Sequence, residues 1–189
     1  MESRRLNLTT GTLNYRFPSR TDCLTCHNAS TPGPLGFQVK QLDLMVKSGN
    51  RDINQLKLLT EKNILSTQPQ NTQKLEPYGG NPKNHSISYL DVHCSSCHNN
   101  SGGPGRGDFD LTAAALKQLS KQELCDLNGQ ANFGRQEGLF AERGTQNKSI
   151  LARISSSDPE LRMPPVATVI NNQTHISALQ AWVQQLGCP

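Results

Sequence analysis

The sequence predicts a mainly α-helical, loop-rich fold with little or no sheet. Three observations carry that expectation. Apolar residues recur at helical spacing, most clearly as Ile176, Leu179, Trp182, Val183 and Leu186. Fifteen Gly and eleven Pro in 189 residues divide the helices with loops. Hydrophobic content is 34% and aromatic content 5%, lean for a core built from side chains alone.

In chain order, residues 1–22 are polar and turn-rich, with Gly11 and Pro18, and are expected to lie extended over the surface. No amphipathic helix is expected ahead of Cys23-Leu24-Thr25-Cys26-His27. A loop with Pro32-Gly33-Pro34 follows. Val39, Leu42, Met45 and Val46 then predict a helix over 37–47, ended by Ser48-Gly49-Asn50. Ile53, Leu56, Leu58 and Leu59 predict a short helix over 52–62, and 66–84 reads as a loop or linker. A helix carrying Ile87, Tyr89 and Leu90 is expected from Ser86 straight into Cys94-Ser95-Ser96-Cys97-His98. Asn99 to Gly107 is a glycine loop, and Asp110 is suited to cap a helix running to Leu119. Residues 128–147 look irregular, and Ser149 to Ile154 suits a short helix. The clearest helix is Asn172 to Leu186, stopped by Gly187 and Pro189. The chain divides into an N-terminal module, 1–84, and a C-terminal module, 85–189, each with one cysteine motif.

Both motifs are C-x-x-C-H, the signature of c-type haem attachment. Two thiols three positions apart can each form a thioether with one haem vinyl group. The following imidazole is then held under the iron. The competing reading is a four-cysteine zinc site or a redox pair. A histidine directly after both pairs argues against it, with chance odds on the order of one in 2,000 at average composition. The expected cofactors are two haem c, on Cys23, Cys26 and His27 and on Cys94, Cys97 and His98. The spare nitrogen of each histidine is expected to donate to a backbone carbonyl or similar acceptor.

Six cysteines then leave Cys125 and Cys188. Haem c is attached in an oxidising space, so a Cys125–Cys188 disulfide is expected, worth about 3–4 kcal/mol by chain entropy. Met1-Glu2-Ser3-Arg4-Arg5 leads into polar residues rather than a secretory signal, and no apolar run reaches membrane-spanning length. A periplasmic location therefore implies that a leader or a larger upstream part has been removed. The net charge of +4 comes with no basic stripe interleaved with aromatics, so nucleic acid is not an expected partner.

A helix entering C-x-x-C-H, a ligand loop and a C-terminal amphipathic helix make the plan of a class I cytochrome c. The sixth iron ligand should lie between the last two. Arg162-Met163-Pro164-Pro165 is a stiff, extended loop, and Met163 is the candidate thioether ligand of the second haem. Arg162 suits either a haem propionate or solvent. These residues carry a resemblance to bacterial dihaem c-type cytochromes. Tyr89-Leu90 ahead of Cys94 to Asn99, Phe109-Asp110-Leu111, Cys125, Ser149 to Ile154, Asp158 to Pro165 and Trp182 all match that pattern. Phe17 to Asp22 and Leu35-Gly36-Phe37 extend the likeness into the first half. The resemblance implies cytochrome c-like helices around two covalently bound haems, with Met163 ligating the second.

The first haem has His27 but no comparable loop. Met45 and His93 are the leading candidates for its sixth ligand, with Met45 slightly ahead. His85 is expected in a solvent-exposed loop and His175 at the surface. An open first haem is the remaining possibility. Periplasmic electron transfer between redox partner proteins is thus the expected function. The alternatives are a peroxidase-like haem enzyme with an open first haem, or the cytochrome module of a larger dehydrogenase.

Overall fold

A computed structural model describes residues 2–8, 11–27, 36–100, 109–127, 138–141, 149–158, 161–165 and 172–188. The elements are mainly helical. Two short antiparallel hairpins in the first half are the sheet among the described residues. The first pairs β1 (Glu2–Leu8) with β2 (Gly11–Phe17), with Leu6 opposite Leu13.

Helix α1 (Arg20–Cys26) follows directly and leads into the first motif, contrary to the expectation that none would. The cause is a capping box. The Ser19 hydroxyl accepts from the Asp22 N–H at 3.2 Å, and the Asp22 carboxylate accepts from the Ser19 N–H at 2.8 Å.

The helix expected over 37–47 is reduced to α2 (Val39–Leu42). Strands β3 (Met45–Ser48) and β4 (Arg51–Asn54) replace the rest, with Val46 opposite Ile53. Gly49, at φ 62°, supplies the turn that an L side chain resists. Asp43 stops α2 by accepting from Asn54 Nδ2 at 2.6 Å and from the Thr72 hydroxyl. These two hydrogen bonds also hold the Asp43 carboxyl below its ordinary pKa. Helix α3 (Gln55–Glu61) starts later than predicted, because Asn54 caps it by accepting from the Leu56 and Lys57 N–H groups.

Helix α4 (Pro82–His93) begins four residues before the predicted Ser86 and ends at His93. Asn81 caps it, and Pro82 occupies the first helical position, where its missing N–H costs nothing. The helix therefore crosses the 84/85 boundary drawn from sequence. Four further helices follow: α5 (Ala113–Gln118), α6 (Lys121–Asp126), α7 (Ile150–Ser155) and α8 (Gln173–Leu186). The cap of α5 is Thr112, while Asp110 accepts the Thr112 N–H at 2.8 Å one step earlier. Gly187, at φ 56°, ends α8 in the left-handed conformation.

The main core belongs to the second half. Helix α4 packs on α8 and α5, and α7 packs on α8. Leu90, Leu116, Phe140, Leu179 and Val183 are completely enclosed, and Phe140 meets Trp182 at 5.1 Å between ring centroids. Each such side chain contributes about 1.5–3 kcal/mol of burial free energy. Among the described residues of the first half, Ile53 and Leu56 are the buried apolar side chains. Leu24, Phe37, Val39, Leu44, Met45 and Ile64 are exposed there. The halves are joined where Lys40 of α2 pairs with Asp91 of α4, and where Leu75, partly buried on the main core, donates its N–H to the Lys40 carbonyl at 3.3 Å.

Candidate functional site

The two C-x-x-C-H motifs share one backbone geometry. Cys23 N–H donates to Ser19 at 3.0 Å, and His27 N–H donates to the Cys23 carbonyl at 2.9 Å. Cys94 N–H donates to Leu90 at 2.9 Å, and His98 N–H donates to the Cys94 carbonyl at 2.9 Å. Each motif thus closes one helical turn, with its histidine one turn beyond its first cysteine. That turn gathers two cysteines and a histidine toward one side of the chain, as haem attachment requires. Cys23, Cys94 and Cys97 are reduced. The side chain of Cys26 lies outside the described residues.

The motifs differ in what surrounds them. Cys23 and His27 are exposed. In the second motif, His98 stacks on Phe109, with centroids 4.8 Å apart and planes 15° from parallel. The His98 carbonyl accepts the Leu111 N–H at 2.9 Å, which fastens the motif to the main core. Burial, and then the positive charge of Arg153, lower the pKa of His98, so the neutral imidazole is favoured. Its Nδ1 is buried without a hydrogen-bond partner, so the acceptor expected for a spare nitrogen is not at this atom. Burial, and secondarily Cys97, push the Cys94 thiol up to about 12, which disfavours the thiolate that a zinc site needs.

Arg153 also holds the loop containing Met163. Its carbonyl accepts the Met163 N–H at 3.1 Å, and its Nη1 donates to the Leu161 carbonyl at 3.5 Å. The loop turns at Asp158, whose carbonyl accepts from Arg162 N–H at 2.8 Å, and the Met163–Pro164 peptide is cis. Met163 and Arg162 are half-buried. One residue of α7 therefore ties the Met163 loop to the surroundings of His98.

The first-site candidates are placed apart from these. Met45 stands on β3 and is 59% exposed. His93 is exposed at the end of α4, with Tyr89 4.8 Å away. Cys125 and Cys188 form a disulfide, with sulfurs 2.04 Å apart and Cα atoms 5.3 Å apart.

Sequence reasoning missed an imidazole–tyrosine cluster between α4 and α8. His85 is 2% exposed within α4, not in a loop, because the helix starts at Pro82. His175 is half-buried rather than superficial, because α8 packs against α4. The Gly79 N–H donates to His85 Nδ1 at 3.0 Å, and His85 Nε2 lies 2.8 Å from His175 Nδ1. Nδ1 of His85 must therefore accept, so Nε2 carries the proton and donates to His175. Tyr89 stacks on His175 at 4.7 Å, and Tyr78 meets both His85 and His175. Burial lowers the pKa values of His85, His93 and His175, and raises that of Tyr89 to about 12. The available signal was the spacing of His85, Tyr89 and His93, each one helical turn apart on a single face.

Among the described residues, no group of three or more His, Cys, Asp or Glu is arranged to hold a metal ion, and no helix is long and apolar enough to cross a membrane. No protein-family model matches the chain, and no curated protein or solved structure matches it.

Proposed function

We propose that the chain is a dihaem c-type cytochrome that passes electrons between redox partner proteins in the periplasm. The observation that supports this reading most is the repeated turn, in which His27 and His98 each close onto the first cysteine of their own motif at 2.9 Å. Cys94 and Cys97 would hold one haem through thioethers, and Cys23 and Cys26 the other. Haem c at these positions would supply a one-electron couple at its iron.

The surrounding residues fit that group. His98 is kept neutral by burial and by Arg153, so a ring lone pair is free for a metal. Phe109 stacks on it and limits water on that side. Arg153 steadies the Met163 loop from the same region, which fits Met163 as the second axial residue. In the first half, the exposed Leu24, Phe37, Leu44 and Met45 offer apolar surface of the kind that packs on a porphyrin. The Cys125–Cys188 disulfide fits an oxidising compartment.

A second reading, a haem enzyme with an open first site, draws on the exposure of Met45, which stands on a strand rather than on a helix folded back over His27. Expression with a haem c maturation system and intact-mass measurement test the main proposal. Two covalent haems per chain are expected, falling to one in Cys23→Ala/Cys26→Ala and separately to one in Cys94→Ala/Cys97→Ala. A chain that matures without covalent haem would contradict it.

A further inference from the structure

The carboxylate of Asp91 is fully enclosed, yet it lies in α4 one turn before Cys94. Three partners from separate parts of the chain converge on this residue. Lys40 Nζ of α2 approaches Oδ1 at 2.7 Å and Oδ2 at 2.8 Å. The Ala113 N–H at the start of α5 donates to Oδ2 at 2.6 Å. The Asp91 carbonyl accepts from the Ser95 hydroxyl, inside the second motif, at 2.6 Å.

Lys40 is in turn fixed by its own backbone. Its carbonyl accepts the Leu75 N–H, and Leu75 packs on the main core. A charge enclosed in this way is costly unless it is paired, so the pairing restricts where α2 can sit relative to α4. Surface pairs carry little such force, as with Lys47 and Asp52, which are 84% and 65% exposed. The chain therefore places a directional, enclosed ion pair between the half that holds the first motif and the helix that leads into the second.

We propose that Lys40 and Asp91 are positioning residues that fix the first motif relative to the second, and so set the mutual orientation of the two haems. This rests on the dihaem reading for its consequence, but not for its geometry. The test uses the full mature protein as wild type, Lys40→Met and Lys40→Arg. Haem content is measured first. Circular dichroism in the Soret region then reads haem–haem orientation through exciton coupling, and small-angle scattering reads how the two halves are held.

Lys40→Met is expected to keep two haems, lose the Soret couplet and show a larger radius of gyration. Lys40→Arg is expected to restore both signals, since it keeps the charge. An unchanged couplet and radius in Lys40→Met would overturn the proposal, as would two haems without a couplet in the wild type. If the wild type carries no covalent haem, the dihaem reading fails. Scattering then still decides whether the pair holds the halves together, an increased radius in Lys40→Met supporting that claim and an unchanged one refuting it.

Discussion

The carbonyl of Arg153 accepts the backbone N–H of Met163 at 3.1 Å, while the charge of the same arginine depresses the pKa of His98. A helix residue thus links the two groups proposed as axial ligands of one iron. Replacing Met163 by Leu is expected to remove the methionine–iron charge-transfer band of the oxidised protein while leaving two haems attached. Met163→His is expected to lower one midpoint potential and leave the other in place, because imidazole stabilises the oxidised iron more than a thioether does. Optical redox titration checks both. An unaltered titration in Met163→Leu would place the ligand elsewhere.

The hydrogen-bonded pair of His85 and His175 makes folding sensitive to acid. Both pKa values are lowered below the ordinary 6.5, by burial first and, for His175, also by the neighbouring His85 and His93. A depressed folded-state value means that the unfolded chain takes up protons first. The stabilising contribution is therefore complete above about pH 6.5 and is lost as pH falls through the lowered folded-state values. Protonating His85 Nδ1 also ends its bond from Gly79, and protonating His175 Nδ1 ends the bond between the rings. Urea midpoints measured across this range should fall with pH in the wild type and fall less steeply in His175→Phe. Parallel slopes would remove the pair from the account.

The disulfide closes a span of 63 residues and anchors the end of α8 beside α6. Chain entropy gives about 4 kcal/mol for a loop of this size. The Cys125→Ala/Cys188→Ala protein should show a urea midpoint lowered by a corresponding amount, with an unchanged far-ultraviolet spectrum at low denaturant.

Gly138 is a sharper local test of the same region. A Cβ there would stand 2.8 Å from the Cys125 carbonyl oxygen, closer than real Cβ atoms come to backbone. Gly138→Ala must therefore shift the backbone beside the disulfide, at a cost of about 1–3 kcal/mol for overpacking. Thermal unfolding should show the loss, whereas Gly80→Ala, with open space around its Cβ position, should show little.

Helix α8 was legible because a single face of Ile176, Leu179, Trp182, Val183 and Leu186 meets one core, and Asn172 and Gly187 mark its ends. The segment after Phe37 was misread for a physical reason. Val39, Leu42, Met45 and Val46 satisfy a helical period, yet Val46 pairs across a hairpin with Ile53, and Asp43 is bound by Asn54 and Thr72. Those partners are distant in sequence, and local periodicity does not contain them. His85 was misplaced for a simpler reason. Asn81 and Pro82 carry an ordinary helix-start signal that the polar composition around them obscured. The motifs themselves were fully legible. Their unequal settings, one exposed and one fastened to the core through Phe109 and Leu111, depend on tertiary packing.

Resonance Raman spectroscopy of the purified, mature protein in both oxidation states tests the central claim most directly. It reports the presence of haem c together with spin and coordination state at each iron. The account predicts two haems, one of them six-coordinate and low-spin in both states and converted to a five-coordinate form by Met163→Ala. A spectrum without haem modes, or a second-site haem unaffected by Met163→Ala, would contradict it.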